Sequence, residues 1–188
     1  METSEAYQVA FENEFVRIVH VTLDARREPP KYTPAAVPMV RVIIDSDDPR
    51  LPRGSAHYCE TAPDDLGCSM REIRIELKSA PKEAPMKLDA VRVDAARYKV
   101  DFENERVRIV RLGFGPHEKG IMVEHPPRVL VTLTDVAVKL LFADGRTDER
   151  GAPAGVAAWL DGETLLTENT NDQPLKVVLI EPKSGRAL

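Results

Sequence analysis

Four histidines and two cysteines hold most of the chemistry that this chain of 188 residues offers. His57 is followed by Tyr58 and Cys59, a run with the make-up of a metal or nucleophile cluster. A cysteine is nucleophilic only in a basic, partly exposed setting, so the run reads first as an edge-strand cluster without a chemical role. His125 follows Glu124 and precedes Pro126 and Pro127, at the entrance to a strand. An imidazole there suits proton transfer near neutral pH, against the simpler role of hydrogen bonding to neighbouring backbone. His117 lies in the loop Gly115-Pro-His-Glu-Lys-Gly120 and would have to turn toward His125 to make a site with Glu124. His20 alternates among apolar residues and reads as structural, and the pair Asp64-Asp65 sits in a loop with no visible means of shifting a pKa. Phosphate loops, Gly-x-Ser-x-Gly and Cys-x-x-Cys are absent from the sequence.

The elements that must position these residues are strands. Segments 15–23, 39–44, 71–77, 107–114, 128–133, 136–142 and 175–180 are short, rich in Val and Ile, and alternate with period two. In the first of them Phe15, Arg17, Val19, Val21 and Leu23 share one face. Glu12-Asn13, Glu103-Asn104, Thr134-Asp135 and Ala143-Asp-Gly145 read as turns, with Asn and Gly tolerating left-handed geometry. Fifteen prolines spread through the connections discourage helices longer than a turn or two. Many short strands so spaced predict a sandwich or barrel.

The chain also repeats itself. Tyr7-Gln-Val-Ala-Phe-Glu-Asn-Glu-Phe-Val-Arg-Ile-Val19 returns as Tyr98-Lys-Val-Asp-Phe-Glu-Asn-Glu-Arg-Val-Arg-Ile-Val110. A period of half the chain is too long for a solenoid and predicts two copies of one domain. The expected boundaries are 1–88 and 89–188, with a linker over 79–96. The repeated Glu-Asn-Glu-x-Val-Arg reads as a hairpin whose carboxylates pair with Arg17 or Arg108 across strands.

A net charge of −5, with Lys and Arg scattered among Asp and Glu, argues against nucleic acid and reads as an ordinary solvated surface. No apolar run is long enough to span a bilayer, and the first residues carry no signal-peptide pattern, so the expectation is a cytoplasmic protein without a membrane partner. Export is the alternative, if a leader has been removed or if Cys59 and Cys68 form a disulfide instead of remaining free thiols.

The second half resembles a cupin, the small jelly-roll or double-stranded β-helix barrel. The resemblance rests on Phe102-Glu-Asn-Glu-Arg-Val-Arg-Ile-Val110, Gly115-Pro-His-Glu-Lys-Gly120, Glu124-His-Pro-Pro-Arg128 and Val131-Thr-Leu-Thr-Asp135. It continues through Lys139-Leu-Leu-Phe-Ala-Asp-Gly-Arg146, Trp159 and Glu168-Asn-Thr-Asn-Asp-Gln-Pro-Leu-Lys-Val177. Through the repeat, the whole chain resembles a bicupin: all-β, two tandem barrels, the first shortened where Pro49-Arg-Leu-Pro-Arg-Gly54 replaces a hairpin. The resemblance implies a metal site of His-x-His, Glu and a further His that would take Fe, Mn, Ni or Zn. Here the first pair falls on Val123 and His125, Val129 and Leu130 stand where the Glu belongs, and the last His position falls on Leu165. In the first half the pair falls around Tyr32 and Pro34, and aligning Gly54–Thr61 with Gly162–Asn169 puts His57 in the last ligand slot. One imidazole per barrel does not hold a cation selectively, so the resemblance implies a dismantled site and no cofactor.

The expected function is small-molecule binding in the second lumen, by His125, Trp159, Thr167 and Asn169 among apolar residues. An alternative is a metal-dependent dioxygenase or isomerase with an atypical site of His125, His117 and Glu124. A third reading is a structural module in which one barrel forms a homodimer surface.

Overall fold

The computed structural model describes residues 6–63, 67–82 and 85–184. They form two compact units, residues 1–80 and 81–188. The expected linker over 79–96 lies mostly inside the second unit. There Glu124 Oε2 accepts from the backbone N–H of Lys87 and Leu88, and Asp89 caps the single turn α1 (Ala90–Val93). This segment is a fastened edge of that unit, held by hydrogen bonds that its Pro-rich, mixed-charge composition does not reveal.

The first unit is one antiparallel sheet of five strands. These are β1 (Tyr7–Glu12), β2 (Val16–Leu23), β3 (Met39–Ser46), β4 (Ala56–Cys59) and β5 (Met70–Leu77), in the order β1-β2-β5-β3-β4. The second unit has nine strands: β6 (Tyr98–Glu103), β7 (Val107–Phe114), β8 (Val123–His125), β9 (Arg128–Thr132), β10 (Val136–Phe142), β11 (Thr147–Ala152), β12 (Ala157–Leu160), β13 (Glu163–Asn169) and β14 (Leu175–Pro182). They make two sheets, β12-β9-β14-β7-β6 and β11-β10-β13-β8. From β7 onward consecutive strands alternate between the sheets, except for the hairpin β10-β11 within one sheet; this is the jelly-roll winding.

The repeat is visible in three dimensions. Sheet β1-β2-β5-β3-β4 follows the same path as β6-β7-β14-β9-β12. Both leading strands shift register at the same place, between Val9 and Phe11 and between Val100 and Phe102. Both hairpins close alike, Asn13 Oδ1 accepting from the N–H of Phe15 and Val16, and Asn104 Oδ1 from Arg106 and Val107. The asparagines therefore act through their side chains; neither takes the positive φ expected from the sequence. Arg108 pairs with Glu181 at 2.5 Å across β7 and β14, as Arg17 approaches Glu76 at 3.9 Å.

Among the described residues only the second unit has the facing sheet. In the first, the described residues supply one half of the double-stranded β-helix, a deeper shortening than one lost hairpin. The correspondence of strands also moves His57. Strand β4 pairs with β3 as β12 pairs with β9, which aligns His57 with Ala158. The alignment of Gly54–Thr61 with Gly162–Asn169 is thereby corrected, and His57 does not occupy a ligand slot; its Nε2 lies 2.8 Å from Ser55 Oγ.

Candidate functional site

Alternation along the second unit's strands turns one set of side chains inward. On β7 and β14 these are Val110, Leu112, Phe114, Leu175, Val177 and Leu179, and they meet Val138, Leu140, Phe142 and Leu165 of the facing sheet. The two layers do not close completely. A cavity of about 230 Å³ remains between them, lined chiefly by Leu, Val and Ala.

Polar groups gather where β8 passes into β9 through Pro126 and Pro127. His125 ends β8, Arg128 opens β9, and Glu163 opens β13 directly opposite His125. Arg128 Nη2 donates to Glu163 Oε1 at 3.0 Å, and Nη1 to the carbonyls of Pro126 and Asp161. Arg128 keeps only 3% of its surface exposed and His125 6%. Both line the cavity with Glu163, Thr132 and Thr167.

Tyr98 Oη stands 3.4 Å from His125 Nε2, while His125 Nδ1 and Arg128 Nε are buried with no hydrogen-bond partner among the described residues. Two unsatisfied nitrogens on residues that line one cavity need a physical explanation, since each costs roughly 1–3 kcal/mol. Burial, then the charges of Arg128 and Arg108, press the His125 pKa from the usual imidazole range to about 2, so the ring is neutral. Burial lowers the Arg128 pKa against the opposing pull of Glu163.

His125 also borders a second cleft of about 320 Å³, where Arg108 and Glu181 stand. Arg108 is held there by Asp89 at 2.9 Å and by Glu181, whose own pKa burial pushes upward.

The structure separates the residues singled out from sequence. His125 and Thr167 line the cavity. Trp159 does not: Ala158 and Leu160 of β12 face the lumen, so Trp159 points the other way, its indole N–H donating to Asp161. Asn169 is fully buried beyond the lining. Its amide donates to the carbonyls of Gly115 and Gln173 at 2.8 and 2.9 Å, and its oxygen accepts from Asn171 N–H. Asn169 ties loops together and has no donor left for a ligand.

The trio His125, His117 and Glu124 is not assembled either. His117 Nε2 lies 2.7 Å from Asp172 on the exposed loop, and the Glu124 carboxylate holds the backbone at 87–88. Asp64 and Asp65 lie outside the described residues. Cys59 and Cys68 are free thiols, with pKa values pushed up by burial, the opposite of activation. Burial and Arg71 lower the pKa of His20, as befits its half-buried place in β2.

Sequence reasoning missed Arg128 and Glu163. The signal was there in the alternation: Arg128 shares a face with Leu130 and Thr132, and Glu163 with Leu165 and Thr167.

The sites also fail the requirements of a cupin metal. Among the described residues, no three His, Cys, Asp or Glu side chains converge. Among the described residues that line the lumen, the imidazole is His125, beside which Arg128 and Arg108 lower its basicity, and the carboxylate is Glu163, already bound by Arg128. The burial that chiefly keeps a proton off His125, and the neighbouring guanidinium charges that add to it, also disfavour a divalent cation there. This donor set does not fit Fe, Mn, Ni or Zn.

The strand order and the inward alternation define the class: this is an all-β protein with the cupin, or double-stranded β-helix, fold. Among solved structures it is similar to a cupin domain from Bordetella pertussis Tohama I, with 25% identity over 46% of this chain and 92% of that one, TM-score 0.43. It is similar over a longer span to a cupin 2 conserved barrel domain protein from Leptotrichia buccalis, 11% identical over 97% and 92% of the two chains, TM-score 0.48. The polyketide cyclase RemF from Streptomyces resistomycificus is 18% identical over 54% and 79%, TM-score 0.32. No family model and no curated protein matches the chain. No helix among the described residues is long and apolar enough to cross a membrane.

Proposed function

We propose that this is a bicupin-derived protein whose second unit binds a small, largely apolar molecule in its lumen without a metal. The observation that carries the reading is the cavity between the sheets, apolar over most of its wall and polar at one end. Ligand sites have this make-up: mostly hydrophobic lining with a few convergent polar groups. At about 230 Å³ the space is smaller than sites for drug-sized ligands, yet an apolar cavity of about 150 Å³ already accepts benzene. The metal-enzyme reading loses support because His125, His117 and Glu124 each face a different environment. Metal analysis of protein purified without chelator should find no stoichiometric Fe, Mn, Ni or Zn.

Titration of methyl-labelled protein with toluene tests the binding reading directly. Shifts should concentrate at Val138, Leu140, Leu165 and Leu179, and should vanish in Leu130→Trp, which fills the lumen. Shifts scattered over the surface, or persisting in that variant, would refute it.

A further inference from the structure

The lumen has a polar end, where two guanidiniums, Arg128 and Arg150, stand with one carboxylate, Glu163. Arg128 is the buried member, bonded to Glu163 at 3.0 Å; Arg150 stands 3.9 Å from Glu163 and also holds Asp148, outside the cavity. Among the described residues three buried side-chain nitrogens lack a hydrogen-bond partner, and two of them, Arg128 Nε and His125 Nδ1, belong to residues of this same end. Arg128 Nε can only donate. For the neutral His125 ring, a Tyr98 hydroxyl that donates to Nε2 leaves the ring proton on Nδ1, making that atom a donor too.

Resting on the lumen-binding reading above, we propose that the lumen of the second unit selects molecules that end in a carboxylate. One oxygen accepts from Arg128 Nε–H and the other from His125 Nδ1–H, while the apolar remainder packs against Leu140, Leu165 and Leu179. A carboxylate meets each requirement at once. It is acceptor-only and offers two oxygens to two donors, one of them a guanidinium N–H whose hydrogen bond is charge-assisted. A neutral apolar molecule would leave both nitrogens unsatisfied, and an ammonium-type cation has no acceptor to offer them. Thr132 does not compete for the ligand, because its hydroxyl donates to the Pro153 carbonyl and accepts from Val156 N–H.

Benzoate and toluene, matched in ring and differing in the acid group, separate this proposal from the reading it rests on. Both are titrated into the full chain and followed by methyl shifts in the lumen. Benzoate should bind at least about tenfold more tightly than toluene, the worth of charge-assisted hydrogen bonds in a buried site. Arg128→Lys keeps a cation for Glu163 but lacks the Nε–H, and should cut the benzoate-to-toluene ratio several-fold, as should His125→Phe. Should either variant fail to fold, the imidazole ¹⁵N shifts of the unmodified protein decide: bound benzoate should leave His125 protonated at Nδ1 and bare at Nε2. Toluene binding with benzoate equal or weaker, or His125 carrying its proton on Nε2, overturns the carboxylate proposal and leaves lumen binding standing. Neither compound reaching the lumen overturns both.

Discussion

The inner faces of the two five-stranded sheets are the same surface built from opposite chemistry. Matching registers align Leu130, Val177 and Leu179 of the second unit with Arg41, Glu72 and Arg74 of the first. In the second unit these apolar side chains meet a facing sheet and leave a cavity. In the first they are replaced by charge, and the charge is nonetheless buried: Arg74 and Glu72 are each 1% exposed. Arg41 Nη2 and Arg74 Nε reach Glu72 at 2.7 and 2.5 Å. Glu76 accepts from the Tyr32 hydroxyl and from the backbone N–H of Ala35 and Ala36, while Tyr32 stacks on Tyr7 with ring centroids 4.5 Å apart. The connection between β2 and β3 thus lies on the face that a second sheet covers in the other unit. Where the described residues supply no facing sheet, a buried ion network occupies the inner face; where the second sheet is present, a cavity remains.

The sharpest way to break this comparison is to remove the shared partner of the network. Glu72→Ala removes the carboxylate that Arg41 and Arg74 share and should cost about 3–5 kcal/mol in denaturant unfolding, the usual penalty for breaking a buried ion pair by removing one partner. Val177→Ala, at the corresponding place, removes only apolar area and should cost about 1–2 kcal/mol. Replacing Arg41, Glu72 and Arg74 together by Leu, Val and Leu should be neutral or stabilising, since a well-packed apolar set often replaces a buried ion network without loss. If the triple variant is as unstable as Glu72→Ala, the network is specifying the fold of the first unit and the faces are not interchangeable.

These residues also mark the limit of what the sequence discloses. The alternation over residues 71–77 shows a charged face and an apolar face, and a charged face reads as solvated. That reading fails at Arg41, Glu72, Arg74 and Glu76, because burial is decided by the distant segment carrying Tyr32, Ala35 and Ala36. Elsewhere local pattern was enough. Strands β7 and β10 match their expected limits, and the duplicated hairpin was legible because its Asn-centred turn is a local device. Strand β11 escaped, since Thr147-Asp-Glu-Arg-Gly-Ala152 is a half-exposed edge without an apolar rhythm. At the site, His125 and Thr167 were legible from alternation. Trp159 and Asn169 were misplaced, the first by one step of register and the second because its amide serves the loops around Gly115 and Gln173.

An acid titration should sharpen the contrast next. His125 has a depressed pKa when folded, about 2 against about 6.5 when unfolded. Its contribution is complete above pH 6.5 and is lost as the pH falls, because the unfolded chain takes up a proton that the folded one refuses. From pH 6.5 to 4.5 this residue alone should remove about 2–3 kcal/mol of stability. Glu181 works the other way, since its raised pKa favours the folded state in acid. The difference between the unmodified protein and His125→Phe isolates the histidine: the variant's stability should fall less steeply over that interval. Parallel curves would place His125 in contact with water and remove it from the buried end of the lumen.

The smallest effect is expected where the two units agree. Asn13→Ala and Asn104→Ala each remove one oxygen that accepts from two backbone N–H groups at 2.8–2.9 Å. Both hairpins border solvent, so water replaces part of what is lost and each change should cost about 1 kcal/mol. The informative quantity is the equality of the two costs, measured under one set of denaturant conditions. Equal values mean that the hairpin is a self-contained device, carried unchanged through duplication and indifferent to whether charge or a cavity lies beneath its sheet. A markedly larger cost at Asn13 would show instead that the charged network depends on that turn to hold Arg17 near Glu76, and that the repeated motif has acquired a separate duty in the first unit.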